Sequence, residues 1–241
     1  MKILSNGGGV QTFAIQCLIA QGEIEKPDLI IFSDTGGESE ETYQHIETIQ
    51  KPLCQSLGIP FVVVQRDGAN LFYRSMNNGV TPKPPYCSWM FKRDVINAYI
   101  RKEILRPATG PDCKESVEVM IGISLDEEHR GYKQSAVTWV KNIYPLLELE
   151  LTRDDCLEAI ARQGLPIPPK SGCWYCPYKR ENQFFLLKEQ EPIKFSRLLV
   201  MEQFTGHNLR KSNKPLISVE SQDRLFPVGD EFECSTGYCG V

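Results

Sequence analysis

Apolar and polar positions along the chain fall into short continuous blocks separated by longer periodic ones. The runs Lys2-Ile3-Leu4, Asp28-Leu29-Ile30-Ile31-Phe32, Phe61-Val62-Val63-Val64, Val117 to Ile123 and Asn142 to Leu147 are too short for helices. They predict strands, and the apolar continuity of Asp28 to Phe32 predicts a buried one. Between them, Thr12 to Gln21, Ser39 to Leu57, Ser88 to Leu105 and Thr152 to Gln163 repeat their apolar residues at helical spacing. Glu38, Glu40 and Glu41 suit the positive end of the second of these helices, and Thr152 with Asp155 makes a cap-like start for the fourth. The stretch Asp67 to Pro85, rich in Gly, Asn and Pro, reads as a mobile loop.

Strands alternating with helices predict an α/β fold, a parallel twisted sheet with helices on both faces. In such sheets the ligand lies beyond the carboxyl ends of the strands. After residue 165 the pattern changes to prolines, a Cys-rich turn, helices from about Arg180 to Phe204 and an irregular tail. We therefore expect a main domain over 1–165 and a helical, Cys-bearing C-terminal segment, a lid and tail, over 166–241.

Composition narrows this picture. A chain of 241 residues can bury one sizeable core with an appended subdomain. The net charge of −4 gives no general drive toward nucleic acid, so such binding would need a local basic patch. No apolar run reaches the ~18 residues of a membrane span. Met1 to Ser5 leads directly into a glycine-rich stretch and leaves no room for a signal peptide, so a cytoplasmic protein is expected. Nine cysteines are an odd number for a disulfide framework. They point instead to metal, cluster or redox chemistry at some positions and to core packing at others. Cys17, Cys54 and Cys156 sit in helical apolar patterns and read as core; Cys113 sits in a polar loop.

Two constellations carry chemistry. The first is Ser5-Asn6-Gly7-Gly8-Gly9-Val10-Gln11-Thr12, placed between a strand and a helix. Glycines let the backbone approach a ligand, and the free N–H groups of a helix start favour phosphate or sulfate. Thr12 adds a hydroxyl in the first turn. The plain alternative is a tight turn, but three adjacent glycines exceed what a turn needs. The second is Cys173-Trp174-Tyr175-Cys176, flanked by Gly172 and Pro177. That spacing turns two thiolates toward one metal or cluster, or makes a redox dithiol. Basic and aromatic residues recur through Lys170 to Arg180, at Arg197 and in His207 to Lys214, with Trp174, Tyr175 and Tyr178 among them. They offer either a nucleic-acid surface with bases stacked on rings or a solvated lid.

Gly7 to Thr12 resembles the PP-loop S-G-G-x-D-S of the ATP pyrophosphatase (adenine nucleotide alpha hydrolase-like) superfamily, with Gly7 for Ser, Gln11 for Asp and Thr12 for Ser. Further stretches resemble its phosphoadenosine phosphosulfate reductase-like family. Phe32-Ser33-Asp34-Thr35-Gly36 with Glu41-Thr42 is similar to D-T-G…E-T, and Cys87 to Lys92 to C-x-x-x-x-K. Gly122-Ile123 with Glu127, Glu128 and Arg130 is similar to G-I-R…E-x-x-R. Tyr144 to Pro166 matches the P-I…W-T…D-V…L-P stretch in part, and Ser171 to Cys176 is similar to S-I-G-C-x-x-C. The matches keep family order over about residues 3 to 178.

The resemblance implies an adenine nucleotide, ATP or a sulfonucleotide, held by the glycine loop. The backbone near Ile31 to Ser33, Asp34 to Gly36 and Gly122-Ile123 would hold adenine and ribose, and Lys92 and Arg130 would meet anionic oxygens. For Arg130 the alternative is an ion pair with Glu127 or Asp126. Cys87, Cys173 and Cys176 would hold a [4Fe-4S] cluster, with zinc the alternative and a fourth ligand open among Cys113, Cys234 and Cys239. Glu233-Cys234 resembles the start of the family's terminal E-C-G, which makes Cys234 or Cys239 the implied nucleophile; a frayed end is the alternative. Three activities follow. One is sulfonucleotide reduction with a thioredoxin-type reductant. Another is thiolation of a nucleic acid using ATP, magnesium and a sulfur donor. The third is a non-catalytic nucleotide-binding module with structural zinc.

Overall fold

A computed structural model describes residues 1–66, 70–83, 86–105, 116–132, 135, 137–210 and 212–220. Cys113, Cys234 and Cys239 lie outside the described residues, as do the tail after residue 220 and both ends of the expected 67–85 loop. Five strands, β1 (Lys2–Asn6), β2 (Leu29–Asp34), β3 (Phe61–Gln65), β4 (Val117–Ile121) and β5 (Val140–Ile143), form one sheet in the order β3-β2-β1-β4-β5. Every pairing is parallel, with Ser5 of β1 opposite Ile31 of β2 on one side and Ile121 of β4 on the other. The α/β expectation is therefore met. The order reverses between β1 and β4, which opens a crevice at their carboxyl ends.

Successive side chains point to opposite faces of a strand. Leu4, Ile30 and Met120 accordingly pack with α1 (Val10–Ala20) and α6 (Arg153–Arg162). Ile3, Ile31 and Val119 pack with Ile96 and Ile100 on the other face. Helix α1 is buried at every position from Val10 to Ile19 except Gln11, because it lies between the sheet and α6. Cys17, Cys54 and Cys156 are wholly buried there, as their spacing predicts.

Helix α2 runs over 40–56 and contains a π turn at Ile46–Gln50, where the Lys51 N–H donates to the Ile46 carbonyl. Pro52 follows at once. Proline lacks the N–H that a helix interior needs, and a π turn is one way to absorb the disturbance. Helix α4, over 86–104, carries π turns at Trp89–Arg93 and Ile100–Ile104.

Four local expectations shift. The loop read over 67–85 contains a helix, α3 (Leu71–Asn78), capped by the Asn70 side chain on the Phe72 N–H and closed by Gly79 at φ 61°. The fourth strand stops at Ile121, and Leu125–Arg130 forms a 3₁₀ turn. The fifth strand lies at Val140–Ile143, because Pro145 cannot donate to a ladder and instead opens a short helix, α5 (Pro145–Glu148). The helical stretch near 180–204 is two helices, α7 (Glu181–Gln190) and α8 (Pro192–Thr205), divided at Pro192. A short α9 (Ile217–Glu220) follows.

The C-terminal segment builds its own apolar cluster, which also takes in Leu71, Phe72, Met90 and Phe91 from α3 and α4. Within it the buried Glu202 carboxylate accepts the N–H groups of Leu209 and Leu216. Among the described residues no helix is long and apolar enough to cross a membrane.

Candidate functional site

The glycine loop leaves β1 at Asn6 and enters α1 at Val10. Gly8 has φ 74°, a conformation that costs a residue with a Cβ about 1–2 kcal/mol. Gly9 is the N-cap of α1, no side chain caps that helix, and its first turn holds no acidic residue. Its leading N–H groups are thus open to an anion.

Beneath the loop lies a ladder of neutral side chains. Asn6 Oδ1 accepts from the Gly8 N–H and from Thr12 Oγ1, each at 2.9 Å. Asn6 Nδ2 donates to Gln50 Oε1 at 2.8 Å, and Gln50 Nε2 donates to His45 Nδ1 at 3.1 Å. His45 Nε2 donates to the Pro166 carbonyl at 3.0 Å, since its Nδ1 accepts from Gln50. Gln50, Gln16 and Asn6 are all buried. Sequence reading missed this ladder, since Gln50 sits in an otherwise ordinary helical pattern; the π turn brings it inward. Thr12 is buried and its hydroxyl is engaged by Asn6, so it shapes the loop.

The other strand ends close on the loop. A Cβ at Gly122 would stand 2.7 Å from Thr12 Cγ2 and 3.0 Å from the Thr12 nitrogen, so β4 meets the start of α1 only because residue 122 is glycine. Ile123 is buried with Tyr144 and Leu147, which leaves its backbone for any ligand role. Ser33 Oγ donates to the Phe91 carbonyl at 2.7 Å and ties β2 to α4. Asp34 accepts from the Gly36 N–H at 2.7 Å and from the Tyr43 hydroxyl at 2.6 Å. Burial, with Asp34 as the hydrogen-bond partner, pushes the Tyr43 hydroxyl's pKa up. Gly36, at φ 71°, offers its carbonyl to Asn70 Nδ2.

The Cys-bearing turn sits against both regions. Ser171 Oγ lies 2.9 Å from where a Gly9 Cβ would be, so its hydroxyl stands over the glycine loop. Cys173 Sγ is 3.1 Å from Thr35 Oγ1, and the Trp174 N–H donates to the Gly37 carbonyl at 2.8 Å. Tyr175 is wholly buried against Gly37. Trp174 is 7% exposed, so neither ring is free to stack on a nucleic-acid base. The stacking surface read from that stretch is corrected to that extent.

Burial pushes the thiol of Cys87 up to about 11 and that of Cys173 up to about 12; Cys176 moves the same way, also by burial. Lys92 opposes the shift in all three, and Cys176 interacts electrostatically with both Cys87 and Cys173. Lys92 Nζ is 3.5 Å from a Glu38 carboxylate oxygen, and Arg130 Nη1 is 2.7 Å from Glu127. Both cations expected to meet a ligand therefore already carry a carboxylate partner. In donor chemistry three thiols suit a soft metal or cluster. As placed they do not form one: among the described residues no three His, Cys, Asp or Glu side chains gather closely enough to hold a metal ion.

Phosphoadenylyl-sulfate (PAPS) reductase from Candida auris, solved as its phosphate complex, superposes with a TM-score of 0.51 at 13% sequence identity, covering 72% of this chain and 81% of the reductase. The chain has the adenine nucleotide alpha hydrolase-like fold of the PAPS reductases. A second structure, the U34-tRNA thiolase NcsA from Methanococcus maripaludis with its [4Fe-4S] cluster, gives a TM-score of 0.49 at 18% identity, covering 86% of this chain and 72% of the thiolase. No family sequence model and no curated protein sequence matches the chain. In this chain the glycine loop and the turns after β2 and β4 follow the strands' carboxyl ends, and the strand order reverses between β1 and β4.

Proposed function

We propose that this chain is an adenine-nucleotide-binding enzyme of the sulfonucleotide reductase type. The observation that supports it is the meeting of an open anion cradle with a Cys-bearing turn, Ser171 over Gly9 and Cys173 on Thr35. The reductase of like fold was captured with phosphate. In this reading the sulfate or phosphate sits on the N–H groups at the start of α1. Adenine and ribose lie along the backbone of Ile31 to Gly36 and of Gly122-Ile123.

The nucleophile is Cys234 or Cys239. Burial raises the pKa of the Cys87 and Cys173 thiols and so disfavours the attacking thiolate there. The attacking thiolate forms a bond to the sulfur of the sulfonucleotide while the sulfur–oxygen bond to the nucleoside phosphate breaks, and that phosphate leaves with the electron pair. A dithiol reductant of thioredoxin type then attacks the enzyme sulfur and expels sulfite. Its second thiol closes the donor's disulfide and restores the cysteine. Any cluster or zinc ion would draw on Cys87, Cys173 and Cys176, and the route above does not pass through it.

The test is sulfite release from adenosine 5′-phosphosulfate and from its 3′-phosphorylated form, with a thioredoxin-type dithiol. Sulfite from one of them, lost in Cys234→Ser or Cys239→Ser, is the expected result. No sulfite from either substrate with anaerobically purified protein removes the reading. Pyrophosphate released from ATP only when RNA is added replaces it with nucleic-acid thiolation.

A further inference from the structure

Glu38 stands in an acidic run that its sequence context explains as helix-start charge, yet it behaves unlike its neighbours. Glu40 and Glu41 are exposed at the start of α2, while the Glu38 side chain has no solvent exposure. A buried carboxylate is expensive unless it is paired and hydrogen-bonded. Glu38 Oε2 accepts the Gly172 N–H at 2.5 Å, and Glu38 Oε1 faces Lys92 Nζ at 3.5 Å with no hydrogen bond of its own. One side chain thus reaches three parts of the molecule: the turn after β2, helix α4 and the Cys-bearing turn. Its neighbours reinforce the same junction, Gly37 by accepting the Trp174 N–H and Thr35 by contacting Cys173.

We propose that Glu38 is a positioning residue that fastens the Cys-bearing turn across the glycine loop, so that a ligand in the loop is felt at the thiols. Gly172, which it holds, directly follows Ser171, whose hydroxyl stands over Gly9. The second half of the proposal rests on the reading that the loop takes an adenine nucleotide; the first half does not.

Hydrogen exchange of the full chain, read on the peptide covering 171–176, tests both halves. Without nucleotide, Glu38→Ala should exchange there about tenfold faster than the wild type, with the strands unchanged. Glu38→Gln keeps an acceptor for the Gly172 N–H and should bring exchange back to within about threefold. Glu38→Asp keeps the charge but shortens the reach. It serves where the alanine variant does not fold, and it should also speed exchange. ATP or a sulfonucleotide should slow exchange at 171–176 in the wild type and leave it unslowed in Glu38→Ala, although that variant still binds the nucleotide. Wild-type exchange in both the alanine and aspartate variants overturns the proposal, as does equal nucleotide protection with and without Glu38. A wild type that binds neither nucleotide removes the functional reading, while the nucleotide-free comparison still decides the role of Glu38.

Discussion

Helices α1 and α6 lie side by side, linked by Gln21 Nε2 donating to the Ala159 carbonyl, yet they begin in opposite ways. The start of α6 is complete in itself. Thr152 accepts the Asp155 N–H, Asp155 accepts the Thr152 N–H, and two aspartates fill the first turn. The start of α1 has a glycine cap, no side-chain partner and no acid. Both helices face the same orphan N–H groups. One satisfies them from its own side chains, and the other has no side-chain partner for them. Helix α8 also begins without a side-chain cap or an acid in its first turn, so what sets α1 apart is that its open start follows a glycine loop at the sheet's carboxyl edge.

The largest test of this contrast is Gly122→Ala. The added methyl would press on the Thr12 backbone and force β4 away from the open helix start. We expect a loss of about 2–3 kcal/mol of stability in urea unfolding, together with loss of nucleotide binding. Next comes Gln11→Glu, which gives α1 the acid it lacks. Thermal stability should rise slightly, by about 0.3–1 kcal/mol from the helix dipole. Nucleotide affinity measured by calorimetry should fall at least tenfold, about 1.4 kcal/mol, because two anions now share the site. Unchanged affinity would mean that the open start is not the anion site. Removing the cap of α6 by Thr152→Ala should cost about 1 kcal/mol of stability and leave affinity untouched.

The smallest effect is a pH dependence. The Thr152 hydroxyl, then its backbone N–H, hold the Asp155 carboxyl below its ordinary 3.8. A group whose pKa is depressed on folding lends stability that is whole above the unfolded value and is lost as pH falls through the folded one. Acid titration below about pH 4 should therefore show a shallow extra decline in the wild type that is smaller in Thr152→Ala, which keeps only the backbone N–H.

Strand β2 was legible because burial on both faces makes Leu29 to Phe32 apolar throughout. So was the cap of α6, whose two residues are neighbours in sequence. Helix α3 was hidden by the Gly and Asn around it, although Asn70 is its start signal and Gly79 its stop signal. The strand at Val140–Ile143 was placed too late because Tyr144 to Leu147 is also apolar, and only Pro145 argues against a strand there. At the site, the glycine loop and the Cys-bearing turn were readable as motifs. Their junction was not: Glu38 and Gly172 are 134 positions apart, and a buried glutamate looks in sequence like an exposed one. Trp174 and Tyr175 misled for the converse reason, since rings beside basic residues suit either a surface or a core.

The ladder of Asn6, Gln50 and neutral His45 under the glycine loop bears on selectivity. A scaffold of uncharged amides fixes the shape of the cradle without preferring one oxyanion's charge over another's. On the proposed nucleotide reading, discrimination between a sulfate and a phosphate would fall to side chains beside the cradle, such as Ser171 over Gly9, while the foundation is left alone.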